Sequence, residues 1–145
     1  MPTPSAASTT RVPRRIVRLG HLALRVPDLP RAVDFYTRVV RLAVAEEAEG
    51  RVYLRGQFEH HCLELHAADR ADVLHLGWET DSDEATAALR AWVESRGVPV
   101  RAAPAEPGRL GAAFQFQDSL GMWNEVYRAT ARLPVLVPAG PAPRL

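Results

Sequence analysis

Residues 16–26 read IVRLGHLALRV and residues 72–80 read DVLHLGWET. Each is a run of β-branched and apolar residues with a single histidine inside it, the composition of a strand. Each also runs straight into a helix start. After the first, Pro27-Asp28-Leu29-Pro30 makes a turn in which Asp28 can cap and Pro30 fits the first helical turn. From Arg31 to Val40 the apolar residues Val33, Phe35-Tyr36 and Val39-Val40 then recur at helical spacing. After the second, Asp81-Ser82-Asp83 caps a helix from Glu84 to Ser95, with Ala88, Leu89, Trp92 and Val93 on its apolar face and Gly97 as its C-terminal stop. Three short strands follow each helix: Leu42 to Glu47, Arg51 to Arg55 and His61 to His66 in the first copy, and Val98 to Ala103, Ala112 to Gln117 and Trp123 to Arg128 in the second. The order β-α-β-β-β therefore occurs twice, an internal repeat. The expected fold class is α+β: two βαβββ modules, about 16–70 and 71–131, whose strands form one open, cup-shaped mixed sheet with the helices outside.

A chain of 145 residues has the length of one domain. A net charge of +1 gives no electrostatic case for nucleic acid or an anionic membrane. No run approaches the ~20 apolar residues of a membrane span. All 18 basic residues are arginine, which excludes a lysine Schiff base or lysine general base. The single cysteine, Cys62, excludes an intramolecular disulfide and a multi-cysteine zinc site, and fits a cytoplasmic location. Residues 1–15 read as a flexible tail with no secretory h-region. Residues 132–145, rich in proline, read as a second tail or an extended strap.

His21 and His75 fall at the same place in the two copies. One histidine in a strand is most simply a hydrogen-bonded core residue, but two at repeat-related positions call for a shared role. Glu125, in Trp123-Asn124-Glu125-Val126-Tyr127, is a carboxylate among apolar and aromatic strand neighbours, costly to bury unless paired or bound to a cation. Two imidazoles and a carboxylate make a facial ligand set that leaves coordination positions open; Fe(II) is its usual occupant, and Mn(II), Ni(II), Co(II) or Zn(II) also suit it. The stretch His60-His61-Cys62-Leu63-Glu64-Leu65-His66 is the other dense cluster. Regular alternation would put His61 on one face and Glu64 on the opposite one, where Glu64 reads either as a surface carboxylate or as a fourth ligand. His61 could lean over the metal and move protons near neutral pH.

At these residues the chain resembles the vicinal oxygen chelate superfamily, over nearly all of residues 16–128. The segment Val52-Tyr53-Leu54-Arg55-Gly56 through His60-His61-Cys62-Leu63 is similar to a segment of the type I extradiol, catechol-cleaving dioxygenases. The resemblance implies a metal held by His21, His75 and Glu125, with Fe(II) as the cofactor and His61 as the proton-transfer residue. It implies a catechol and dioxygen as substrates and a muconic semialdehyde as product. The usual enzymes of this type are about twice as long. The short chain resembles the single-domain subgroup that cleaves L-DOPA in antibiotic biosynthesis.

The chain departs from the larger enzymes in two places. Gln115 stands where they carry a tyrosine, and Leu110 replaces a histidine in Gly108-Arg109-Leu110-Gly111. Tyr127, Trp123, Gln115 or Tyr53 could then contact substrate, and Arg109 could hold a substrate carboxylate. Two alternatives stay open: a glyoxalase-like metal isomerase or transferase using Glu64, and a metal-free antibiotic-binding module with Trp78 and Trp123 stacking on the ligand. Exposed strand edges in an open cup predict a homodimer.

Overall fold

The computed structural model describes residues 16–137. In chain order the elements are β1 (Ile16–Val26), α1 (Leu29–Arg38), β2 (Ala43–Ala48), β3 (Arg51–Arg55), β4 (Leu63–Ala67), β5 (Asp72–Thr80), α2 (Asp83–Ser95), β6 (Val100–Ala102), β7 (Arg109–Gln117) and β8 (Trp123–Thr130). This is the β-α-β-β-β order, twice, and the strands join one eight-stranded sheet in the order β2-β3-β4-β1-β5-β8-β7-β6. Within each module the first strand pairs in parallel with the last, β1 with β4 and β5 with β8. The modules meet where β1 and β5 run antiparallel, bringing His21 opposite Gly77 and Ala23 opposite His75.

Local chemistry accounts for the helix ends. Asp28 accepts the backbone N–H of Arg31 at 3.1 Å, and Pro30 sits in the first turn, so α1 starts at Leu29. It stops at Arg38, before the apolar Val39-Val40 pair that suggested a longer helix, and Arg41 takes a left-handed turn with φ 73°. Ser82 caps α2 by accepting from the Ala85 N–H, and Gly97 adopts φ +78° just past its end. β4 begins at Leu63 rather than His61, and β7 begins at Arg109 because Arg109 and Leu110 already pair with Thr130 and Ala129 across an irregular register.

Alternation divides the sheet into two faces. On the convex face of the first module Val52, Leu54, Leu63 and Leu65 form a closed core, packed by Leu22, Leu24, Val33 and Tyr36 beneath α1. In the second module Phe114, Phe116, Val126 and Trp78 meet Leu89 and Val93 of α2 around an apolar cavity of about 330 Å³. The concave face carries His21, Tyr53, Glu64, His75, Gln115, Glu125 and Tyr127, all buried.

Past β8 the chain turns back over the first module. Arg132 bridges Glu59, the Leu133 N–H reaches the Phe58 carbonyl at 2.7 Å, and Arg55 holds the Pro134 carbonyl at 2.8 Å. The start of the proline-rich segment therefore lies across the turn that leads to His60 and His61. The expected N-terminal tail, residues 1–15, and residues 138–145 lie outside the described residues. Among the described residues no helix is long and apolar enough to cross a membrane.

Candidate metal centre and adjoining cleft

The four central strands each aim one chemical side chain into the cup. β1 supplies His21, β4 Glu64, β5 His75 and β8 Glu125, and the last three are fixed by register relative to the first. In the parallel pairs Ala23 faces Glu64 and Gly77 faces Glu125, so each carboxylate stands opposite the residue two places past its module's histidine. Gly77 has a specific task here. The His21 ring lies directly over it, and a β-carbon at that position would overlap the imidazole.

His21 Nε2 and His75 Nε2 approach to 2.8 Å, and both rings are buried, 3% and 4% exposed. The His21 Nδ1 is 2.9 Å from the Tyr127 hydroxyl. With that hydroxyl accepting from Nδ1–H, Nε2 presents its lone pair to the centre, the tautomer that a metal ligand needs. Burial pushes the His21 imidazole down to about 3, against the opposing pull of Glu64, and burial lowers His75 as well. Both rings are therefore neutral at pH 7.

Glu125 is wholly buried, and burial raises its pKa although Gln115 and Arg109 pull the other way. Gln115 Nε2 donates to Oε2 at 2.7 Å and Arg109 Nη1 to Oε1 at 3.1 Å. One nitrogen from each of His21 and His75 and one Glu125 oxygen lie within 4.8 Å of one another. This donor set fits a divalent cation: two neutral imidazoles, one with its outer nitrogen hydrogen-bonded, and a carboxylate that burial disfavours in the absence of positive charge.

Glu64 corrects the alternation argument. It lies on the concave face and is wholly buried, so the reading as a surface carboxylate does not hold. The convex positions of β4 are Leu63 and Leu65, and His61 reaches the cup because it precedes the strand and does not share its alternation. Glu64 Oε1 is 3.1 Å from His61 Nε2, 3.1 Å from His21 Nε2 and 4.0 Å from His75 Nε2. Its other oxygen is 2.9 Å from His66 Nε2. Burial opposes its ionisation, but the hydrogen bonds from His61 and His66 prevail and hold the carboxyl well below the usual range. His21, His61 and Glu64 form a second group whose ligand atoms lie within 4.8 Å of one another.

The remaining expected contacts are distributed around this centre. Tyr127 backs His21, with burial raising its phenol far above the usual range. Arg109 is committed to Glu125 and the Pro104 carbonyl. Gln115 grips Glu125 and also lines a cleft of about 250 Å³ that opens onto His75. Trp123 lines the same cleft beneath the Arg101 guanidinium, 3.4 Å from its ring centre. The Tyr53 hydroxyl donates to Glu106 at 3.0 Å, and its ring sits 5.1 Å from that of His61. His60 joins the network through His61 Nδ1 at 2.9 Å and Glu46 at 2.9 Å. Sequence reasoning passed over Glu106 and Arg101, and gave no role to His66, which alternation puts on the face of Glu64. Glu106 sits in an irregular Pro-containing loop that has no periodicity to read.

Residues 18–126 match the Glyoxalase/Bleomycin resistance protein/Dioxygenase superfamily. The chain belongs to this superfamily. As a member of it, the chain is 31% identical over 115 residues to the manganese-dependent 2,3-dihydroxybiphenyl 1,2-dioxygenase of Geobacillus genomosp. 3, covering 77% of this chain and 36% of that protein. It is 30% identical over 117 residues to the biphenyl-2,3-diol 1,2-dioxygenase of Sphingomonas paucimobilis, covering 77% of this chain and 39% of that protein. Homoprotocatechuate 2,3-dioxygenase of Brevibacterium fuscum, in an anaerobic complex with 3,4-dihydroxyphenylacetate, superposes with a TM-score of 0.76 at 27% identity, over 82% of this chain and 38% of that one. This superfamily member thus spans little more than a third of the length of the curated relatives it matches.

Proposed function

We propose that the chain is an extradiol dioxygenase that opens a catechol ring with dioxygen, and that L-DOPA or a related catechol, in a biosynthetic pathway, is the substrate. The observation that carries this reading is the convergence of His21, His75 and Glu125, with His61 beside them, next to a cleft that opens onto His75, in a chain whose relatives are catechol dioxygenases. In this reading His21, His75 and Glu125 hold Fe(II), or Mn(II) as in the Geobacillus relative. The bound metal supplies Lewis acidity and a common site at which catechol and dioxygen exchange electrons.

The chain's own groups do the rest. Tyr127 keeps His21 in the ligating tautomer, and Gln115 and Arg109 orient the Glu125 carboxylate. His61, held at Nδ1 by His60, would exchange its Nε2 contact with Glu64 for the catechol hydroxyl, take that proton and return it when the ring opens. Burial of His21, His61, Glu64, Gln115, Glu125 and Tyr127 limits the water around these groups. The single cysteine supports a reducing, cytoplasmic setting, and the open strand edges β2 and β6 support a homodimer, which the elution volume of the purified chain tests.

One observation favours a second reading. Glu64 is as deeply buried as Glu125 and its Oε1 is 3.1 Å from His21 Nε2, as a fourth ligand of a glyoxalase-like isomerase or transferase would be. The donor set argues against a metal-free binding module. The test is anaerobic reconstitution with Fe(II) or Mn(II), addition of L-DOPA and then air. Ring cleavage gives a yellow semialdehyde with one dioxygen consumed per catechol. No product from any catechol with either metal overturns the dioxygenase reading.

A further inference from the structure

The cleft of about 250 Å³ that opens onto His75 and Gln115 carries charge of both signs at its mouth. Arg101, on β6, is held by neutral partners. Its guanidinium lies over the Trp123 ring, its Nε donates to Gln115 Oε1 at 3.0 Å, and it makes no ion pair among the described residues. A guanidinium fixed by stacking and along one edge leaves further N–H donors for a planar carboxylate. Glu106, in the loop between β6 and β7, is half-buried in the same wall. It accepts the Tyr53 hydroxyl at 3.0 Å and likewise forms no ion pair among the described residues. A partly desolvated carboxylate held only by a neutral donor is a site that a cation would complete.

The contrast with the neighbouring arginines is informative. Arg25 also borders the cleft but is neutralised by Asp72 at 3.1 Å. Arg109, the sequence-based candidate for a substrate carboxylate, is neutralised by Glu125. Arg51 lines the cleft as well and likewise makes no ion pair among the described residues; Arg101 and Glu106 are one pair of opposite charges among the three that lack an ionic partner. An uncharged side arm, such as a second aromatic ring, would desolvate both without compensation, and a purely anionic arm would leave Glu106 unmatched.

We infer that this cleft receives the zwitterionic end of an α-amino acid catechol, with Arg101 taking the carboxylate and Glu106 the ammonium group. The inference rests on the ring-cleavage reading above and assigns the specificity of that site to two residues outside the metal centre.

Three catechols test it on the metal-loaded full chain: L-DOPA, 3-(3,4-dihydroxyphenyl)propionate, which lacks the ammonium, and dopamine, which lacks the carboxylate. The wild type should prefer L-DOPA over each by about tenfold or more in kcat/KM, the worth of one charge-assisted hydrogen bond. Anaerobic binding, measured before turnover, should follow the same order. Glu106→Gln should collapse the preference for L-DOPA over the propionate by about tenfold, and Arg101→Gln the preference over dopamine. Cleavage of all three by the wild type without discrimination overturns the inference and leaves ring cleavage standing. Selectivity ratios within twofold of wild type in folded Glu106→Gln and Arg101→Gln also overturn it. The wild-type order needs no variant, so misfolding of either one does not remove the test. If the wild type cleaves none of the three but opens another catechol, this inference falls and ring cleavage stands; if it opens no catechol with either metal, both fall.

Discussion

Glu64 and Glu125 occupy equivalent places in the two modules: near the start of the last strand, opposite the residue two past the module's histidine, wholly buried on the concave face. Their surroundings differ. Glu64 sits among imidazoles, with His61 and His66 satisfying its two oxygens, and is held ionised. Glu125 is gripped by an arginine and an amide, yet burial still raises its pKa. One repeat-related position has been turned to two uses. In the first module the carboxylate organises histidines; in the second it is left wanting positive charge. The fold provides the symmetric frame, and the side chains beyond the four central ones break the symmetry.

The largest test of that division is His61→Ala. It removes a group on the Glu64 side only, so metal affinity should stay within a few-fold of wild type, while kcat for catechol cleavage falls by roughly 10³, within the range of a lost general acid–base. Stopped-flow product formation with metal analysis on the same sample checks both halves. Loss of the metal with the turnover would place His61 among the ligands.

Next comes the pair Ala23 and Gly77, which face Glu64 and Glu125 respectively. Gly77→Ala must push the His21 ring aside and should lower metal affinity by about 10-fold or more, the scale of outer-shell damage. Ala23→Gly should leave affinity unchanged and cost only about 0.5–1 kcal/mol of stability from added chain entropy. Chelator competition and thermal melts separate the two.

The convex faces differ as well. Leu65→Ala empties a closed core and should cost about 3–5 kcal/mol in denaturant unfolding. Val126→Ala, beside a cavity of about 330 Å³, should cost about 1–2 kcal/mol because few packing contacts remain to be lost. Equal losses would mean that the two cores are equally well packed.

The smallest effect concerns Cys62. Burial first, and then Glu59, raises its thiol to about 11. At pH 8 the folded protein should hold about one thiolate per thousand, against a tenth or more once unfolded. Thiol labelling should therefore accelerate roughly 100-fold on denaturation, and in the folded protein should quicken as pH rises toward 11. Rapid labelling of the native chain at pH 8 would show the packing around β4 to be looser than described.

Much of this architecture was legible in residues 16–26 and 72–80, whose strands match their sequence boundaries, because a central strand rich in β-branched and apolar residues is written in its own composition. The caps Asp28 and Ser82 were legible for the same reason, since capping is a local bond. The pairing of His21 and His75 followed from the repeat, and Glu125 stood out as a carboxylate among apolar and aromatic strand neighbours. Strand edges were less legible: Val39-Val40 has helical spacing but lies beyond α1, and β7 takes its start from pairing with β8 rather than from its own residues. The surroundings of Glu64 and the exposed charges of the cleft depend on side chains brought together from distant elements. The Arg101–Trp123 stack and the Tyr53–Glu106 bond have no local signature at all.

The account depends on Glu125, and not Glu64, completing the metal's ligand set. Anaerobic titration of Fe(II) into Glu125→Gln and Glu64→Gln, with chelator competition, tests this directly. Glu125→Gln should lose more than about 100-fold in affinity, beyond the range of outer-shell changes, and Glu64→Gln about tenfold or less. Equal losses, or a larger loss in Glu64→Gln, would contradict the account and move the chain to the four-ligand, glyoxalase-like reading.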